Sequence, residues 1–140
     1  MMKIYRPKVN FRKHITNFNK YLNDKNYNGY AYVIATIING IVEVLRIGST
    51  GRGSRGLNLY RVARNFREYK QADGKQTNML GKYYSRNDCK IFFYPTKIPY
   101  EHTTIEALLK MKHLKKHGRI PRFDKDITFK YLVSNNEWQK

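Results

Sequence analysis

The sequence predicts an α+β domain: a small three-stranded antiparallel central sheet flanked by helices, with an added N-terminal helix and a C-terminal strand or tail. Three observations carry that expectation. Two β-rich runs, Tyr30 to Ile37 and Ile41 to Gly48, flank an Asn39-Gly40 pair, the strongest short-range hairpin signal. Stretches with apolar residues at helical spacing precede and follow the pair. A third β-rich run, Cys89 to Tyr94, comes later and is stopped by Pro95.

Taken in order, residues 1–10 are basic, contain Pro7 and show no period, so they read as an arm. Phe11, Ile15, Phe18 and Leu22 recur at helical spacing and predict an amphipathic helix over about residues 11–23, ended by Asn23-Asp24-Lys25-Asn26. The hairpin strands are apolar on both faces, which suits a central pair covered by helices on both sides. Gly48, Gly51, Gly53 and Gly56 are expected to break the second strand and lead into a second helix over about residues 57–70. That helix turns Leu59, Val62, Ala63 and Phe66 inward and Arg61, Arg64, Arg67 and Lys70 outward. Asp73-Gly74 marks a turn, and Thr77 is a candidate cap for a short helix through Tyr84. Thr103 or Thr104 caps a long helix that ends at Gly118, with Pro121 preventing continuation. Ile127 to Val133 reads as a last short strand. The organisation is therefore an arm and helix over residues 1–26, a main domain over 27–124, and an extension over 125–140 packed on that domain.

Composition narrows the function classes. The 140 residues favour one domain, and a 41% hydrophobic content suffices for one core. The formal net charge of +18 is spread along the whole chain, and a folded domain this basic is usually balanced by a polyanion, most often nucleic acid. A structural protein of a ribonucleoprotein particle fits the same charge. The single Cys89 excludes an internal disulfide and, in its strand-like setting, reads as a half-buried inert thiol. One cysteine and four histidines give no metal-ligand spacing, so a structural zinc site is not expected. No apolar run approaches ~18 residues, and no signal-peptide core opens the chain. A cytoplasmic protein with no membrane partner is expected.

The order of motifs resembles the GIY-YIG nuclease superfamily over roughly residues 27–124. Tyr30-Ala31-Tyr32 stands where that family has Gly-Ile-Tyr, and Arg46-Ile47-Gly48 where it has Tyr-Ile-Gly. Tyr60 lies twelve residues beyond Gly48, at the family's usual distance to the helix tyrosine or histidine. Ile105-Glu106-Ala107-Leu108-Leu109 looks like its glutamate helix, and Pro121-Arg122-Phe123-Asp124 like its closing segment, with Asp for Asn. The chain looks closest to small phage endonucleases and stand-alone restriction-type members, which implies host cytoplasm for a phage-encoded chain. Arg46 replaces the second tyrosine. The family's arginine falls at Gly56, so Arg55 supplies the guanidinium with a one-residue shift, or Arg52 does so instead.

What the resemblance implies is a divalent-metal-dependent endodeoxyribonuclease acting on duplex DNA. The alternative is a catalytically degenerate nucleic-acid-binding module on the same fold. Glu106 would hold one Mg²⁺ or Mn²⁺, a role suited to a single carboxylate completed by waters and phosphate oxygens. Its Thr-x-x-Glu spacing from Thr103 equally suits a capping box. Tyr32 would activate water, or else is a core tyrosine. A free tyrosine titrates near pH ~10, and a cation beside it favours the phenolate. Arg46 supplies that cation only if the two side chains share a sheet face. A plain two-residue hairpin pairs Tyr32 with Ile47; a three-residue loop or a bulge pairs it with Gly48 and brings Arg46 alongside. Arg55 would grip the scissile phosphate and Tyr60 the phosphate or water. Arg52, Arg61, Arg64, Arg67, Lys110, His113 and His117 are candidate DNA contacts. One site cuts one strand, so double-strand cleavage would call for a homo-oligomer or sequential events.

Overall fold

The computed structural model describes residues 11–66, 80–84 and 88–124. The arm, the Asp73-Gly74 turn, Thr77, Arg67, Lys70 and the strand expected at Ile127–Val133 lie outside those residues.

Asn39 and Gly40 take positive φ values of 51° and 76°, as a two-residue turn matched to strand twist requires. They join β1 (Gly29–Ile38) to β2 (Ile41–Gly51). β3 (Cys89–Thr96) pairs antiparallel with the other edge of β1, giving the order β2-β1-β3. The protein is thus α+β around a three-stranded antiparallel sheet. The hairpin is not the central pair, however: β1 is central and β2 is an edge. Nor does Pro95 end the third strand. It pairs with Tyr30 inside β3, and an edge strand tolerates a residue with no N–H to donate.

Side chains alternate across the sheet, so Tyr30, Tyr32 and Ile34 share one face. That face packs on Phe18 and Leu22 of α1 (Phe11–Asp24), on Leu57 and Leu59, and on Val62 and Ala63 of α2 (Tyr60–Ala63). The Phe18 and Phe93 rings meet at 5.1 Å and Tyr30 meets Phe93 edge-on at 5.5 Å. α1 therefore belongs to the same core as the sheet. The second helix starts later than expected, at Tyr60, and α2 passes into a 3₁₀ turn at Arg64–Phe66. Its inward set is as the sequence predicts, with Val62 and Ala63 buried and Phe66 packed against the core. Leu80 of α3 (Leu80–Tyr83) closes this layer.

The opposite face is covered by α4 (Glu101–His117), whose His102 ring lies against Gly29 and Gly51 and whose Ile105 is buried. α4 ends as expected, at Gly118 with φ 72° and its N–H on the Leu114 carbonyl. Its start is not as expected. The residue before the first turn is Tyr100, in the left-handed region, so neither Thr103 nor Thr104 is the cap. Thr103 donates instead to the Tyr100 carbonyl at 2.7 Å. Cys89 is buried, and burial together with Asp88 pushes its thiol up to about 11, the inert state expected. Among the described residues no helix is long and apolar enough to cross a membrane.

Candidate active site

β1 and β2 do not keep the register of a plain hairpin. Ala35 pairs with Val44 but Ile34 pairs with Arg46, so Leu45 is an extra residue on β2. This bulge pairs Tyr32 with Gly48 and places Arg46 diagonally beside Tyr32 on the same face. The physical reason is legible in Leu45, a fully buried residue of the core cluster. The bulge lets β2 bury Leu45 while Arg46 still reaches Tyr32.

Gly48 does not break β2, which runs on to Gly51. Its role is to leave room for the Tyr32 ring. A Cβ at Gly48 would lie 2.5 Å from Tyr32 Cζ and closer still to the hydroxyl. Gly48→Ala is expected to cost about 1–3 kcal/mol through overpacking and to displace the phenol. Urea unfolding of Gly48→Ala beside Gly48→Ala/Tyr32→Leu checks this, because the smaller partner should restore part of the loss.

Tyr32 is 5% exposed. Asn65, buried in the 3₁₀ turn, donates to the Val62 carbonyl at 2.8 Å and sits 3.5 Å from the Tyr32 hydroxyl. Burial works to lower the Arg46 pKa, but the hydrogen-bonded Tyr32, Asp124 and Glu106 outweigh it and hold the guanidinium protonated.

The far side of Arg46 is built by the segment after α4. It seals the open edge of β2: Phe123 N–H donates to the Leu45 carbonyl at 3.0 Å, and Ile47 N–H donates to Asp124 Oδ1 at 2.8 Å. Covering an edge strand in this way blocks unwanted pairing. It also plants a fully buried carboxylate 4.0 Å from Arg46 and 3.8 Å from Lys110 Nζ. Lys110 in turn lies 3.7 Å from Glu106 Oε2. Tyr32, Arg46, Asp124, Lys110 and Glu106 thus form one chain of polar contacts around the β2 edge, linking the face that holds Tyr32 to α4.

Burial raises Asp124 to about 6 even though Lys110, the Ile47 N–H and Arg46 act to lower it. The folded value lies above the ordinary 3.8, so the associated stability is present below pH ~4 and is lost as pH rises through about 6. Relative to Asp124→Asn, which has no such titration, the protein should lose up to about 3 kcal/mol over that window. Denaturant unfolding of the two proteins at pH 4, 5, 6 and 7 measures the difference.

Glu106 sits in the second turn of α4, since the helix begins at Glu101. It is therefore not a capping-box residue, and the first-turn dipole acts on Glu101 instead. Lys110 and Arg46 are its cationic surroundings. Lys110 is buried and doubly paired, so its expected contact with a DNA phosphate is corrected to an internal one. His113 is only partly exposed. Its Nδ1 is bound to the Arg119 carbonyl at 2.6 Å, and burial lowers its pKa. His117 is exposed beside it.

Arg55 and Tyr60 gather in a second, adjoining place. With Thr50, Asn58, Arg61 and Arg64 they line a cavity of about 400 Å³. Thr50 pairs with Tyr30, two residues along each strand from the Tyr32–Gly48 pair, a step of about 7 Å. Arg55 stands in a four-residue turn closed by hydrogen bonds between Gly53 and Gly56. Gly56 has φ 79°, and a Cβ there would lie 2.5 Å from Asn23 Oδ1. A side chain at Gly56 would be strained, and the arginine that this turn does present is Arg55. Arg52 is not an equivalent alternative. Its guanidinium is tied to the Tyr27 carbonyl and to Asn23 Oδ1 at 2.8 Å, so it braces the loop. Asn19 and Asn23 of α1 take up the backbone N–H groups of Leu59 and Leu57 at 2.8 and 3.1 Å and fix the cavity wall. Their four-residue spacing on one helix face was the available signal for that role.

For a divalent ion, the donor set allows one assignment. Among the described residues no three of His, Cys, Asp and Glu gather as a metal cage. Asp124 is fully buried and already accepts from Ile47. Glu106, with 18% of its side chain exposed, is the carboxylate open to solvent in this cluster. One carboxylate completed by waters and phosphate oxygens fits Mg²⁺. No protein-family model, curated protein or solved structure matches the chain.

Proposed function

We propose that the chain is a divalent-metal-dependent endonuclease that hydrolyses phosphodiester bonds in DNA. The observation that carries the reading is the β2 bulge, which turns Arg46 onto the face of Tyr32. That guanidinium also pairs with Asp124 of the edge seal, and it is its contact with the Tyr32 phenol that favours a chemical role. In this reading Tyr32 acts as the phenolate, paired with the Arg46 cation, and takes the proton of the attacking water to become the neutral phenol. Arg55 and Tyr60 hold the phosphate in the adjoining cavity, and Arg61 and Arg64 extend the cationic track. Glu106 holds the Mg²⁺ or Mn²⁺ ion, which when bound supplies Lewis-acid stabilisation of phosphoryl and leaving oxygens. The motif order resembling the GIY-YIG nucleases supports the same assignment.

A second reading, a binding module without catalysis, is favoured by the pairing of Glu106 with Lys110. Both readings require DNA affinity that falls steeply with salt. Contact with six or more phosphates predicts a loss of about 10³-fold between about 50 and about 200 mM salt. A fluorescence titration of a short duplex at several salt concentrations checks this, and a flat response would remove both readings. Nicking of supercoiled plasmid with Mg²⁺ or Mn²⁺, abolished by EDTA, separates the enzyme from the module.

A further inference from the structure

The Lys110 ammonium occupies the ground that a metal on Glu106 would need. It lies between two carboxylates, 3.7 Å from Glu106 Oε2 and 3.8 Å from Asp124 Oδ2, with 6% of its side chain exposed. Both separations exceed the 2.7–2.9 Å of a charge-assisted hydrogen bond. Among the described residues, the buried Asp124 Oδ2 and Arg46 Nε have no hydrogen-bond partner. Lys110 is therefore held by charge rather than by directional bonds, and another cation can take over that role. Of the two carboxylates only Glu106 reaches solvent, so an arriving ion meets Glu106 and Lys110 together.

We infer that Lys110 and a divalent cation compete for the Glu106 carboxylate, so that Lys110 sets the metal affinity of the site. This rests on the metal assignment made above. A divalent ion on Glu106 would stand a few ångströms from the ammonium. Repulsion at that range changes affinity about tenfold even at a water-like dielectric constant, and more in the partly buried cluster. Arg46 is present whether or not Lys110 is charged, so it drops out of the comparison.

The test is Mn²⁺ binding by the full chain without DNA, read from the electron paramagnetic resonance of free Mn²⁺. Lys110→Met, close in length and uncharged, should bind Mn²⁺ about tenfold more tightly than the unaltered protein or better. Glu106→Gln added to Lys110→Met should remove the gain. Equal or weaker binding in Lys110→Met overturns the inference, as does a gain that survives Glu106→Gln. Because Lys110→Met leaves the buried Asp124 with Arg46 as its remaining cation, Lys110→Met/Asp124→Asn is measured against Asp124→Asn in parallel. If circular dichroism shows the single variant unfolded, that pair decides. Cleavage of DNA by the unaltered protein with no affinity gain in Lys110→Met ends the inference alone. An affinity gain with no cleavage by the unaltered protein leaves the competition standing and ends the assignment of function.

Discussion

Glu106→Gln is expected to slow phosphodiester cleavage about 10³-fold while leaving DNA affinity unchanged or slightly higher. Loss of a Lewis acid that stabilises charge in the transition state costs several kcal/mol, and each 1.36 kcal/mol is a factor of ten. Gln keeps the size and helix propensity of Glu, so folding is a minor issue. Affinity should not fall, because the change removes a negative charge near phosphates. The position of Glu106 in the second turn of α4 sharpens the test. A capping residue would let Gln substitute with little effect, but Glu106 caps nothing. Nicking of supercoiled plasmid at the unaltered rate in Glu106→Gln would end its role as the metal ligand.

Asp124→Ala should be the most damaging single change to stability at the site, about 3–5 kcal/mol. The carboxylate is fully buried, accepts the Ile47 N–H at 2.8 Å and faces Lys110 and Arg46. Alanine strands a buried N–H and leaves a buried ammonium with Glu106 as its one remaining carboxylate. Against a typical total of about 5–15 kcal/mol, that loss brings the protein close to unfolding. Asp124→Asn keeps the acceptor for Ile47 and has no carboxyl to ionise, so at pH 7 it should cost nothing or stabilise. Guanidinium unfolding of both variants at pH 7 measures the contrast. A loss under about 1 kcal/mol in Asp124→Ala would mean that the edge seal contributes little.

The sheet and its helices were legible because their signals are local: the Asn39-Gly40 turn, the period of Phe18 and Leu22, the glycine at position 118. The bulge was legible only as a condition. Nothing in Val44-Leu45-Arg46 states which residue is extra; burial of Leu45 decides it, and burial is a property of the assembled core. Lys110 was misread for the same reason. A lysine on a basic helix reads as a solvated cation, and only tertiary placement brings Asp124, fourteen residues on, to face it. The N-terminus of α4 was missed because Tyr100 adopts a left-handed backbone that its residue type does not announce. That Gly56 leaves no room for a side chain was not visible in sequence, because Asn23, which fills the space, lies on another element.

The central claim is that Tyr32 and Arg46, on one sheet face, and Glu106, on the α4 side and linked to them around the β2 edge, act together in one hydrolytic site. Single-turnover cleavage of an end-labelled duplex, run with Mg²⁺ for the unaltered protein and for Tyr32→Phe, tests it most directly. The account predicts metal-dependent strand scission by the unaltered protein, and its loss in Tyr32→Phe with duplex affinity retained. Duplex bound tightly by the unaltered protein yet left intact in both Mg²⁺ and Mn²⁺, or scission at the same rate in Tyr32→Phe, would contradict it.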